Sequence, residues 1–219
     1  MKILAVRHGV TSWNAQRRWQ GATDIPLADE GLSQALAAAG RLAAMGWRGR
    51  RVYCSALSRS LVTASTICAQ LQVDPPQVIA QLGERELGEW EGLSIEEIEL
   101  GHPGAIAAWA TGLIEGPPGG ETDLRVADRF RQACRVIRTA STGETNPILV
   151  ITHAGVLHAV DKVSGFEYSK YGPLSGRWFE LQSTSHRTEI VPDGPVDLLA
   201  NGADLPSLDI LATQAWRDR

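Results

Sequence analysis

The chain has little cysteine, no long apolar run and no surplus of positive charge, and each absence removes a class of function. Its three cysteines (Cys54, Cys68, Cys134) are odd in number and lack CxxC spacing. That argues against a disulfide framework or zinc ribbon and for buried thiols in a reducing compartment. No apolar run is long enough to span a bilayer. The first residues enter a strand pattern with no signal-peptide character, so a cytoplasmic location is expected. Lys and Arg number 21 against 25 Asp and Glu, a net charge of −4. No basic stripe is available to neutralise phosphate backbones or anionic lipid, so neither nucleic acid nor membrane is expected as a partner. Several chemical motifs are missing as well. There is no GxxxxGK[ST], which disfavours an ATP-binding P-loop, and no GxSxG, which disfavours a serine hydrolase. His153 and His158 are off the i,i+4 register of HExxH, and no metal or cofactor is expected.

What is present is an ordinary globular composition, with 43% hydrophobic and 21% charged residues, enough for one well-buried domain. Residues 2–14 (KILAVRHGVTSWN) pass from a short apolar run straight into Arg7, His8 and Gly9. The run has the length of a fully buried strand, and Gly9 allows an immediate turn. Taken alone, the segment fits a strand with a charged turn as well as it fits a site. A polar loop with Gly21 and Pro26 follows, a common place for substrate contacts. Asp29 is expected to cap a helix running to Met45, and Ser58 to cap another whose face carries Leu61, Ala64, Cys68 and Leu71. Between them, residues 51–55 read as a second strand. Arg59 falls in the first turn of the second helix, where a cation opposes the helix dipole. A bound anion would relieve that, although a solvated arginine remains the alternative.

Residues 77–80 suggest a third strand, and 82–92 (LGERELGEWEG) a shaped loop in which glycines and Trp90 interrupt a carboxylate run. Ser94 and Glu97 form a capping box for a short helix. The Pro- and Gly-rich stretch from His102 to Gly120 suggests an insertion over the strand ends. An amphipathic helix is expected over 121–139, with Leu124, Ala127, Phe130, Cys134 and Ile137 on its buried face. Residues 147–152 (PILVIT) form the strongest strand pattern and end in His153, Ala154 and Gly155, which repeats the opening arrangement. A further helix follows, then two late strands over 177–182 and 187–191 with a turn through 183–185. The tail has a weak helical pattern around 208–216. Alternating strands and helices predict an α/β fold: three layers, a mostly parallel central sheet covered by helices on both faces, and a small helical and loop lid. The expected organisation is one domain over 1–219, with 84–121 as the lid or insertion and 192–219 as a C-terminal extension.

The two histidines and two arginines are expected to gather at the C-terminal edge of the sheet, and together with a glutamate they suit phosphoryl transfer without a metal. Arginines fork onto phosphate oxygens, one neutral imidazole attacks phosphorus, the other donates hydrogen bonds, and a carboxylic acid protonates the leaving alkoxide.

The chain also resembles the histidine phosphatase superfamily, or phosphoglycerate mutase-like family. VRHGVTSWN is similar to that family's RHG signature, CSALSRSLVTA to its Ser-x-x-x-Arg-x-x-x-Thr-Ala segment, LGERELGEWEG to its general-acid segment, PGGET to the element before a long helix, and VITHAGVLHAV to its second histidine motif. The resemblance implies His8 as the phosphorylated nucleophile, Arg7 and Arg59 in the phosphate pocket, Glu84 as general acid, and His153 as the second histidine. Asn14, Thr11, Gly21, Arg85 and Ala154 join them as candidate substrate contacts. The chain departs from the family pattern at Val10, Ala154, His158 and Glu86, the last two at positions that could shape substrate choice. Residues 93–120 hold no Lys or Arg, whereas mutases of the family hold phosphoglycerate with basic residues in a longer insertion. The expected activity is therefore metal-independent hydrolysis of a small phosphorylated metabolite through a phosphohistidine. A cofactor-dependent phosphoglycerate mutase and a non-catalytic phosphate-binding regulator are the alternatives. The late strands and tail offer a face for a homodimer.

Overall fold

A computed structural model describes residues 1–166, 169–183 and 188–199. The expected turn at 184–185 and the helical pattern at 208–216 lie outside the described residues. Among the described residues six strands form one sheet: β1 (Lys2–Arg7), β2 (Val52–Cys54), β3 (Gln77–Val78), β4 (Ile148–Thr152), β5 (Ser175–Ser183) and β6 (Thr188–Asp197), in spatial order β3-β2-β4-β1-β5-β6. β1 to β4 pair in parallel, and β5 and β6 add an antiparallel edge. The helices are α1 (Ser12–Ala15), α2 (Asp29–Ala44), α3 (Ser58–Leu71), α4 (Ile95–Gly101), α5 (Ala105–Ala110), α6 (Asp123–Ala140) and α7 (Ala154–Val163).

Strand alternation sorts the core into two faces. Ile3, Ala5, Ile148 and Val150 point one way, into a cluster with Phe130, Ala133 and Ile137 of α6 and Val156, Leu157 and Val160 of α7. Leu4, Val6, Leu149 and Ile151 point the other way, against Ala35, Ala38 and Leu42 of α2 and Ala64 and Ile67 of α3. β1 and β4 carry apolar residues at every core position because both of their faces are covered. The three cysteines are free and buried, and burial pushes the Cys54 thiol up to about 12 and the Cys68 thiol up to about 11.

Several local expectations shift. Asp29 is the first residue of α2 and not its cap; Ala28 holds the cap position, and Asp29 with Glu30 places negative charge in the first turn. Ser58 is likewise the first residue of α3. Its N–H and hydroxyl both donate to Asp24 Oδ1, at 2.8 and 2.7 Å, so the cap arrives from a loop distant in sequence. Leu124 is exposed, and Val126 and Ala133 complete the buried face of α6. β6 continues past Pro192 and Pro195 to Asp197, which an edge strand tolerates because its outer N–H groups need no partner.

One close backbone approach seats α2 against the turn after β1. A Cβ added to Gly31 would lie 2.3 Å from the Val10 carbonyl oxygen, and one on Gly9 would lie 2.6 Å from the Gly31 carbonyl oxygen. Neither contact can yield by rotating a side chain. Gly31→Ala is expected to lower the urea midpoint by the equivalent of about 1–3 kcal/mol, the usual cost of overpacking. An unchanged midpoint would show that the turn absorbs the methyl freely.

Candidate active site

The chain leaves β1 toward α2 on one face of the sheet and leaves β4 toward α7 on the other. The crevice between the carboxyl ends of these adjacent strands is where open α/β sheets bind ligands. The register pairs Arg7 with Thr152, and the next residues are His8 and His153. His8 N–H donates to the Thr152 carbonyl at 3.1 Å, and the two imidazole centroids lie 5.1 Å apart.

His8 Nδ1 lies 2.6 Å from the Gly9 carbonyl oxygen. A carbonyl only accepts, so the proton sits on Nδ1 and Nε2 keeps its lone pair. His153 is fully buried; its Nε2 lies 2.7 Å from Ser55 Oγ, while Nδ1 has no partner. Burial first, and then the charges of Arg59 and Arg7, hold the His8 pKa well below the usual histidine value. Burial and Arg59 do the same for His153. Both rings are thus neutral at pH 7.

Arg59 is completely buried at the start of α3. Its two terminal nitrogens donate to the carbonyls of Thr23 and Gly21 at 2.7 and 2.8 Å. Arg7 donates to the Tyr171 carbonyl at 2.8 Å. Glu84 receives the Arg85 N–H at 2.7 Å and, more loosely at 3.3 Å, the Gly155 N–H from the first turn of α7. Asn14 Oδ1 accepts from both the N–H and the hydroxyl of Thr11, which leaves the amide NH2 to donate elsewhere.

A cavity of about 180 Å³ brings Arg7, His8, Arg59 and Glu84 together with Asn14, Gly21, Arg85 and Ala154. His153, beside His8, does not line the cavity. Thr11 is fully buried and also off the wall; its hydroxyl caps α1 and reaches the cavity only through Asn14. Arg85 is on the wall but already engaged: it pairs with Asp123, donates to the Glu121 carbonyl, and lies over the Trp109 ring at 4.8 Å. Arg18, another loop cation, pairs with Glu97, and Glu86 is exposed away from the cavity.

The far end of the cavity holds Trp109, which the sequence places in a partly apolar lid, together with residues that it does not single out as contacts. Trp19, Leu87, Ile106, Trp109 and Phe166 make an apolar wall, and Lys162 pairs with Asp123 at 2.7 Å. His158, already notable as a departure, also lines it and donates from Nε2 to the Ser169 carbonyl. Ser55 stood inside a recognisable motif, whereas Lys162 carried no signal beyond helical position and Phe166, just past the end of α7, carried none. Among the described residues, no group of three or more His, Cys, Asp or Glu side chains is placed to hold a metal ion.

Comparison with known proteins agrees with this geometry. Residues 3–182 match the histidine phosphatase superfamily (branch 1). The chain belongs to that family. Its curated relatives include a glucosyl-3-phosphoglycerate phosphatase from Mycolicibacterium vanbaalenii, 33% identical over 73% of this chain and 72% of the relative. A metal-independent phosphoserine phosphatase from Arabidopsis thaliana is 37% identical over 73% of this chain and 66% of its own length. Among solved structures, a mycobacterial glucosyl-3-phosphoglycerate phosphatase complexed with VO3 superposes with a TM-score of 0.77 at 26% identity, covering 88% of this chain and 97% of that one. The protein is a phosphomonoesterase of the histidine phosphatase type. No helix among its described residues is long and apolar enough to cross a membrane.

The two neutral histidines of this phosphatase give its stability a defined pH dependence. Their folded pKa values lie below the unfolded value of about 6.5, so below that pH the unfolded chain binds protons the native one does not. Their contribution is complete above about pH 6.5 and is lost as pH falls, at up to roughly 2.7 kcal/mol per pH unit for the pair. Urea midpoints measured from pH 7 to 5 should fall accordingly, and His153→Gln should flatten the curve. Equal slopes in the two proteins would show that His153 is not buried in its neutral form.

Proposed function

We propose that the protein hydrolyses the phosphate monoester of a small metabolite without a metal, through a phosphohistidine on His8. The observation that carries this reading is the Nδ1–H of His8 tied to the Gly9 carbonyl, which presents an unprotonated Nε2 in a cavity shared with two arginines and a carboxylate. Arg7, Arg59 and the Asn14 amide hold the phosphoryl oxygens and stabilise the charge that spreads over them in the transition state. His8 Nε2 attacks phosphorus, and the ester oxygen departs with a proton from Glu84 in its acid form. Glu84 then takes a proton from water, the water oxygen attacks phosphorus, and orthophosphate leaves with His8 restored. With Ser55 donating to His153 Nε2, the proton of that ring sits on Nδ1, which has no acceptor among the described residues.

The segment 84–121 serves as a lid in this reading: Leu87, Ile106 and Trp109 come from it and face the leaving group. The names of the relatives span glucosyl-3-phosphoglycerate and phosphoserine phosphatases, so they support a small phosphorylated metabolite as the substrate class. The apolar wall suits an alcohol with an apolar face.

The purified protein is expected to hydrolyse an artificial aryl phosphate in the presence of chelator. His8→Ala should lower kcat at least about a thousandfold, because no other group can form the covalent intermediate. Full chelator-resistant activity in that variant would overturn the mechanism, and isomerisation of phosphoglycerate faster than phosphate release would overturn the hydrolytic reading.

A further inference from the structure

Arg59 aims a buried guanidinium at the cavity, yet among the described residues it has no side-chain hydrogen-bond partner. Its two terminal nitrogens are held only by backbone carbonyls, those of Gly21 and Thr23, and its Nε has no partner. The direction of the fork therefore depends on where the 21–24 loop sits. Asp24 fastens one end of that loop to the start of α3. Apart from the Arg59 fork itself, the side chain that fastens the rest among the described residues is that of Glu91. Glu91 Oε1 accepts the Ala22 N–H at 3.0 Å and the Leu87 N–H at 3.2 Å, and Glu91 Oε2 accepts the Thr23 hydroxyl at 2.7 Å. Packing at this point is tight. Gly21 has φ +51°, and a Cβ there would lie 2.4 Å from Glu91 Oε1. Glu91 does not line the cavity.

We propose that Glu91 is a positioning residue for phosphate recognition: its carboxylate clamps the Gly21–Thr23 backbone, whose carbonyls set the Arg59 fork. The proposal rests on the phosphatase reading of the site and deepens it. The same carboxylate ties Leu87, on the cavity wall a few residues beyond Glu84, to the loop that holds Arg59. One side chain thus keeps the proton donor's segment and the phosphate arginine's loop in register. A displaced loop would leave Arg59 buried and charged but turned off the phosphoryl oxygens, and bidentate recognition tolerates little misalignment.

The test is a cycle of Glu91→Ala and Arg59→Lys, which keeps the charge but loses the fork. Orthophosphate affinity is read by calorimetry, and kcat and KM on an aryl phosphate are read in chelator. Glu91→Ala is expected to weaken orthophosphate binding and raise KM by about tenfold, and the effect should vanish in the Arg59→Lys background because both changes remove the same interaction. Glu91→Gln should restore most of the affinity, since its carbonyl can accept from Ala22 and Leu87 while its amide donates to the Thr23 hydroxyl. Equal losses from Glu91→Ala in both backgrounds would overturn the proposal. So would Glu91→Gln behaving like Glu91→Ala, because charge and not the clamp would then be the cause. Should Glu91→Ala fail to fold, Gly21→Ala disturbs the same contact and takes its place in the cycle. A wild-type protein that binds orthophosphate without turning over aryl phosphate would refute the phosphatase reading, and the binding measurements would still decide the role of Glu91.

Discussion

The parallel pairing of β1 with β4 is the constraint on which the site depends. With Arg7 opposite Thr152, the residues that follow each strand are both histidines, and the chain turns away from them to opposite faces of the sheet. A slip of one residue would reverse which of Leu4 and Ala5 meets α2 and which meets α6, so core packing on both faces fixes the register. The same packing that stabilises the sheet therefore holds His8 beside His153. No loop has to find that geometry, which explains how two imidazoles are kept unprotonated and close together without a carboxylate of the described residues bonded to either.

Concentrating cations there carries an electrostatic cost. Burial pulls the Arg59 pKa down, and Glu84, Asp24 and Glu91 act against it while Arg7 adds to it. None of those three carboxylates forms a hydrogen bond to the guanidinium. They offset its charge from a distance and leave part of its field for an incoming anion. Deeper in the fold, Glu121 illustrates the opposite arrangement. Burial alone would raise its pKa, but Arg129 bonds it directly and holds it below the usual value. The pairing that stabilises Glu121 and Arg129 takes them out of the chemistry. Arg59 is exposed to an anion because its partners are backbone carbonyls, which orient it without neutralising it.

Most of the sheet and the placement of the five side chains that the proposed mechanism draws on were legible because each is announced locally. Apolar runs of strand length end in histidine at His8 and His153, and Arg59 occupies a helix start where a cation is unfavourable. What escaped the sequence comes from contacts between distant segments. Asp24 caps α3 in place of Ser58, and no local pattern around Ser58 reveals it. The contacts that Thr11 and Arg85 make are equally invisible locally: the Thr11 hydroxyl caps α1, and Arg85 lines the cavity while paired with Asp123 and packed on Trp109. β6 passed two prolines because an edge strand does not need their missing N–H groups, and edge position is a property of the assembled sheet, invisible in a window of residues.

The two ends of the cavity are built differently. The phosphate end is made of strand termini and helix starts seated in the two main core clusters, where small shifts meet dense packing. The far wall draws on a separate third cluster, in which Leu87, Trp90, Ile98 and Ile106 are buried and the Trp19, Trp90 and Trp109 rings meet near edge-on at 5.7–5.9 Å. Changing a residue on that wall alters what the cavity can enclose without touching the β1–β4 register. Trp109 shows how such a wall is still kept in place: Arg85 lies over its ring, Lys162 donates to its carbonyl at 3.2 Å, and both cations share Asp123. The apolar wall and the polar floor are thus one connected unit. A substitution at Asp123 would be felt through Trp109 by the leaving group before it reached the phosphoryl group, so selectivity can change here while the chemistry stays where the sheet has fixed it.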